Sequence, residues 1–189
     1  IEAYLMEVEL DIVSGQPGMT IVGLADMAVK ESRERVRSAV VNCGYSFPVK
    51  RMTLNLAPAD VPKEGTSLDL PIAIALIAGS GLIPLDTLNE TLFLGELSLD
   101  GTLRPVRGAL PVAISGVQKG FKQFLLPETN AKEAAVVEGI DIIPIKTLNQ
   151  AVDYLNGNDA IKPCQVDAEK LFQQSAHYDV DFSEVKGQE

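Results

Sequence analysis

The chain has 189 residues, 46% hydrophobic and 22% charged, with a formal net charge of −10. That is enough apolar side chain for a buried core, and too acidic for a dedicated nucleic-acid-binding domain, which is usually basic. One histidine (His177), no tryptophan and two isolated cysteines (Cys43, Cys164) leave no cluster for metal binding and little for histidine acid–base chemistry.

Residues 1–13 alternate in part, through Leu5, Val8, Leu10 and Ile12, and predict a strand with one buried face. The SGQPG run at 14–18 is a turn and 19–24 a second strand, so the pair predicts a hairpin. Asp26 is placed to cap a helix whose apolar face carries Val29, Val36, Ala39, Val40 and Cys43, and Gly44 stops it. Residues 51–56 predict a strand, 57–66 a loop, and 69–78 a strongly apolar helix with Pro71 tolerated in its first turn.

Residues 91–97 predict a further strand, paired through an Asp100-Gly101 turn with 102–106. Helices over 108–119, 130–137 and 148–155 alternate with short strands at 123–126 and 140–145. This order predicts a mixed-sheet α/β or α+β domain, with about one layer of helices on a sheet. After Asn158 the pattern weakens. Residues 159–189 hold three basic and seven acidic side chains, a balance of −4. Residues 27–63 hold seven basic and three acidic, a balance of +4. An acidic chain can thus carry a local basic face.

The chain opens at Ile1 inside the first strand, without an initiator Met, and the expectation is that an upstream segment has been trimmed. No apolar run nears the ~20 residues that span a bilayer. With two isolated thiols and no signal peptide, the expectation is a cytoplasmic protein without membrane contact.

A P-loop requires GxxxxGK followed by Ser or Thr, and no such run exists. Ser67 precedes a helix start in a glycine-containing loop. A serine there is either a nucleophile near a positive helix end or an N-cap, and the cap is the commoner use. Lys30, Arg33 and Arg37 fall on one stripe of the first helix, although Glu31–Arg35 and Lys30–Glu34 at i, i+4 neutralise part of that charge. The stripe is either a solvated face or a phosphate-contacting surface.

Several long runs then carry a resemblance: SGQPGMTIVGL at 14–24, VKESRERVR at 29–37, NLAPAD at 55–60, KEG at 63–65, LDLPIA at 68–73, GELSLDG at 95–101 and RPVRG at 104–108. They resemble the magnesium-chelatase-like AAA+ ATPase family over residues 1–157. The N-terminal domain of that family is similar to the proteolytic domain of Lon and to the second domain of a small-subunit ribosomal protein. The resemblance implies an α+β (mixed α/β) fold, a mixed sheet with helices mainly on one face. Lon-type proteases use a Ser–Lys dyad. Ser67 stands at the serine position, but Leu110 stands where the lysine would be, and the nearby Arg107 cannot act as a base. The domain is therefore expected to be non-catalytic.

The DFSEVKGQE run at 181–189 resembles the opening of an AAA+ module. The expected organisation is a Lon-like domain at 1–157, followed by a linker and the start of a truncated AAA+ ATPase module at 158–189. The resemblance implies a hexameric parent that drives DNA branch migration during natural transformation. ATP and magnesium would serve the missing motor, with no cofactor in this part. Expected partners are its own AAA+ domain downstream and DNA, and the fragment itself can be monomeric. Candidate nucleic-acid contacts are Lys30, Arg33, Arg37, Lys63, Arg104 and Arg107. Open alternatives are an assembly platform without DNA contact, a degenerate hydrolase using Ser67, and a magnesium chelatase subunit.

Overall fold

The computed structural model describes residues 3–167. The DFSEVKGQE run, His177 and most of the expected 158–189 linker lie outside the described residues.

The first strand, β1 (Glu7–Val13), and the second, β2 (Gly18–Val22), do not pair with each other. The expected hairpin is replaced by a split pair, with β3 (Arg51–Ala57) between them. β3 runs antiparallel to β1, with Leu10 opposite Leu54, and parallel to β2, with Ile21 opposite Leu54. Loop length does not distinguish the two arrangements. A turn of four or five residues reaches about 14 Å or more when extended, and crossing one intervening strand needs about 10 Å. Burial decides it, because Met52, Leu54 and Leu56 of β3 are almost fully enclosed and belong at the sheet centre.

The connection from β2 to β3 is α1 (Met27–Asn42). Asp26 caps it as expected, its Oδ1 accepting from the Val29 N–H at 2.7 Å. At the other end Gly44 adopts φ 87°, and the Tyr45 N–H donates to the Val40 carbonyl at 3.1 Å. Val29, Val36, Ala39 and Val40 face the core. α2 (Asp69–Gly79) packs beside α1 on the same face of the sheet, and its leucines, isoleucines and alanines fill the layer beneath. The opposite face shows Glu7, Glu9, Asp11, Thr20 and Arg51 to solvent. Helices on one face of a mixed sheet thus describe this half of the domain.

The single strand expected over 91–97 is broken in two. A 3-10 turn (Leu85–Leu88) leads into β4 (Thr91–Phe93), while β5 (Glu96–Leu97) joins a separate hairpin with β6 (Leu103–Arg104). The break lies at Gly95, whose backbone is taken by the start of α2. Its N–H donates to the Ser67 carbonyl and its own carbonyl accepts from Leu70, both at 2.9 Å. A side chain at 95 would stand 2.9 Å from Leu103 and 3.2 Å from Leu70, so anything larger than glycine requires Leu103 to shift.

β4, β7 (Gln123–Pro127) and β8 (Asp141–Ile145) form a parallel sheet in the order β4-β7-β8. Here, unlike in the first sheet, helices cover both faces. Phe124 and Leu126 enter a cluster with Ala109 and Ala113 of α3 (Ala109–Gln118) and Ala131 and Ala134 of α4 (Glu128–Ala134). Leu125 points the other way, into the larger core shared with α2 and α5 (Leu148–Leu155). A parallel strand buried on both faces reads as a continuous apolar run, which is what QFLLP is.

Both Cys43 and Cys164 are free. Cys43 sits so close to the β5–β6 turn that a side chain added at Gly101 would meet its sulfur at 2.2 Å. Burial pushes the Cys43 thiol above its ordinary value, with the Asp100 carboxylate adding to the effect. Since only the thiolate reacts, Cys43 is expected to alkylate several-fold more slowly near pH 8 in the folded chain than in urea. Its rate should rise as pH passes above the ordinary thiol range. Peptide mapping after iodoacetamide treatment checks this, and equal rates in both states would contradict it.

Candidate functional site

Two regions bear on function: the loop that holds Ser67, and the face of α1. The loop from Pro58 to Leu68 is fixed from several directions. The Lys63 N–H donates to the Leu24 carbonyl and the Asp26 N–H to the Lys63 carbonyl, each at 3.0 Å. Asp26 Oδ2 accepts from the Gly65 N–H at 3.3 Å, so one carboxylate caps α1 and holds this loop. Thr66 donates its hydroxyl proton to the Glu96 carboxylate.

Lys63 departs from expectation. It is 1% exposed, and its Nζ donates to the Pro58 carbonyl. A buried ammonium cannot reach a phosphate backbone, so Lys63 is removed from the contact candidates. Its role is to tie the loop together from inside.

Ser67 is half-buried, and it does not cap α2. The cap position falls on Leu68, without a side-chain hydrogen bond. The helix start is satisfied by backbone instead, with Leu70 donating to Gly95. Among the described residues no hydrogen bond joins the Ser67 hydroxyl to a basic side chain. Leu110 lies in the first turn of α3, 37% exposed.

Beside the serine lies a buried ion pair that the sequence reading missed. Asp69, the first residue of α2, is 0% exposed. Its carboxylate accepts from Arg35 Nε at 2.9 Å and Arg35 Nη2 at 3.2 Å, a bidentate pair, and from the Leu97 N–H at 3.1 Å. Arg35 also donates to Ser32 Oγ at 3.0 Å and the Ala28 carbonyl at 3.3 Å. The hydrogen bond to Asp69 raises the guanidinium further above its already high ordinary value. The expected Glu31–Arg35 pair is not formed among the described residues, because Arg35 turns inward. Lys30–Glu34 is absent too, and Glu34 meets Arg33 at 3.4 Å.

The other basic candidates stay at the surface. Lys30, Arg33 and Arg37 are exposed along α1. Arg33 also donates to the Met19 carbonyl at 3.3 Å. The Arg37 guanidinium lies over the Phe47 ring, 5.6 Å from its centroid. Arg33 and Arg37 line a cavity of about 700 Å³ between α1, the start of β2 and the 45–49 loop. Arg104 and Arg107 are exposed on and after β6, and Arg104 donates to Ser98 Oγ at 2.8 Å. Neither lines that cavity. Among the described residues no group of three or more His, Cys, Asp or Glu could hold a metal ion. No helix among them is long and apolar enough to cross a membrane.

The arrangement can be set against known proteins. The family model of subunit ChlI of Mg-chelatase matches residues 8–130, which include α1, the serine loop and the Arg35–Asp69 pair. The chain belongs to this Mg-chelatase family. Competence protein ComM of Haemophilus influenzae is 38% identical over 190 aligned positions, covering 100% of this chain and 37% of that protein. YifB of Escherichia coli K12 is 41% identical, covering 100% of this chain and 36% of that protein. A Lon protease of Trichlorobacter lovleyi is 24% identical over 160 positions, covering 78% of this chain and 19% of the protease. The chain thus spans about a third of the length of its Mg-chelatase-like relatives, and the mixed α/β fold agrees with the Lon likeness.

Proposed function

We propose that this chain is the non-catalytic N-terminal domain of a Mg-chelatase-like AAA+ ATPase, and that it guides DNA toward the ATPase ring along the face of α1. The parent on this reading is a cytoplasmic, hexameric branch-migration helicase, whose ATP and magnesium serve the motor. The carrying observation is the pair of exposed guanidinium groups, Arg33 and Arg37, one turn apart beside an open cavity. They remain at the surface of the basic 27–63 segment, from which Lys63 and Arg35 turn inward. The non-catalytic reading is supported by Leu110, which stands where the Lon resemblance would place a lysine. A competence protein among the relatives supports a DNA partner.

The test is fluorescence anisotropy of labelled DNA against salt. If Lys30, Arg33 and Arg37 each neutralise one phosphate, the log–log slope is about −2.7, so roughly fourfold more salt weakens binding about 40-fold. The double variant Arg33→Glu, Arg37→Glu is expected to lose at least about tenfold in affinity at low salt and to flatten the slope by about 2. Salt-independent affinity would refute the proposal.

A second reading, an assembly platform without DNA contact, is favoured by Leu24 and Met27. These apolar side chains are 57% and 70% exposed at the N-terminal end of α1. It predicts that the same double variant leaves DNA affinity unchanged.

A further inference from the structure

We infer that the cavity beside α1 is a seat for single-stranded nucleic acid, with a base stacked on the Arg37–Phe47 pair. The inference rests on the DNA-guiding reading and specifies which form of nucleic acid that face takes.

The cavity differs from a simple phosphate-binding face in its lining. Arg33 and Arg37 supply charge, while Tyr45, Phe47, Pro48 and Val49 supply flat or apolar surface. Val49 is 80% exposed at the rim, and Tyr45 and Phe47 are half-buried, anchored below and open above. Arg33 is held by the Met19 carbonyl, and the Arg37 guanidinium carbon lies over the Phe47 ring, 5.6 Å from its centroid. A cation and an aromatic ring are thus brought together at the cavity, and both guanidinium groups and aromatic rings stack on unpaired bases.

A second cavity, of about 350 Å³, adjoins the first across Ser46 and Pro48 and reaches Lys50 and Ser80. The two share Ser46 and Pro48 in their walls, with Arg37 and the Glu34-paired Arg33 lining the first and Lys50 the second. Glu34 is the one acid in their lining. Cationic side chains beside an apolar, aromatic surface complement a chain of phosphates that carries exposed bases. A duplex has its base faces stacked inside, so it could use the charges but not the rings. The larger cavity also falls within the ~300–1,000 Å³ range of sites that enclose small organic groups.

The experiment compares a labelled oligo-dT of about 12 nucleotides with a duplex of equal length, using the 189-residue chain. Oligo-dT is expected to bind at least about fivefold more tightly. Arg37→Lys keeps the charge and removes the plane, and it lies at the surface, so the fold is preserved. It should weaken oligo-dT about 5- to 150-fold and move the duplex less than about twofold. Phe47→Leu should do the same, with circular dichroism confirming the fold. Equal affinity for both forms, or an Arg37→Lys variant that binds oligo-dT like the parent chain, overturns the inference while leaving the DNA-guiding reading intact. Binding of neither form overturns both.

Discussion

Asp69→Ala should lower the unfolding free energy by about 3–5 kcal/mol, read as a fall in the urea midpoint at unchanged slope. The carboxylate is wholly buried and satisfies three donors: two from Arg35 and the Leu97 N–H. Removing it leaves a guanidinium facing an apolar gap and a backbone N–H without a partner. Arg35 is 22% exposed at its side chain, so water relieves part of its loss but cannot reach Leu97, which is 0% exposed. The double variant Arg35→Met, Asp69→Leu removes both charges together and should be less destabilised than Asp69→Ala alone, because an unpaired buried charge costs more than an absent pair. A loss below about 1 kcal/mol in Asp69→Ala would show that the pair is not the clamp described here.

That clamp also bears on function. Asp69 joins α1, α2 and β5, and Ser67 and Thr66 lie immediately before it. The geometry of the Ser67 loop and the posture of α1 therefore depend on one carboxylate. Arg35 faces inward to reach it, while Arg33 and Arg37 on the same helix face outward. The basic face is defined as much by the arginine that leaves it as by those that stay.

Legibility in the sequence followed the range of the interactions. α1 could be read from a capping aspartate, a 3.6-residue apolar period and a stopping glycine, all within its own length. β3 could be read from alternation. The pairing of β1, β2 and β3 could not, because a strand's partner is chosen by how α1 crosses back over the sheet, and turn residues carry no record of that. The break at Gly95 was invisible for the same reason: its cause is the backbone of α2, far away in the chain. Lys63 looked like a surface charge by residue type alone, and nothing local marks a lysine that turns inward to a carbonyl. Asp69 did leave a signal. It is the one charge in a helix apolar on all sides, and where such a carboxylate is buried it needs a cationic partner. The sequence places Arg35 in the neighbouring helix but does not single it out from Arg33 or Arg37.

Gly23→Ala should be similarly damaging, with a loss of about 2–6 kcal/mol. Gly23 adopts φ 106°, a conformation that costs a residue with a Cβ about 1–3 kcal/mol. Its missing Cβ would stand 2.2 Å from the carbonyl oxygen of Leu56 and 3.0 Å from that carbonyl's carbon. The obstacle is backbone at the end of the central strand, so no side-chain rotation can relieve it, and such overpacking adds about 1–3 kcal/mol. The turn that Gly23 makes also delivers Leu24 and Ala25 to the bridge with Lys63, so displacing it loosens the loop that carries Ser67. The neighbouring position provides the control. Leu24 adopts φ 56° with its side chain 57% exposed, a strained placement for a leucine. Leu24→Asn should be neutral or mildly stabilising, since asparagine tolerates the left-handed region and little apolar contact is lost. Thermal melts should therefore fall for Gly23→Ala and hold or rise slightly for Leu24→Asn. If Gly23→Ala melted with the parent chain, the close approach of this turn to β3 would be wrong.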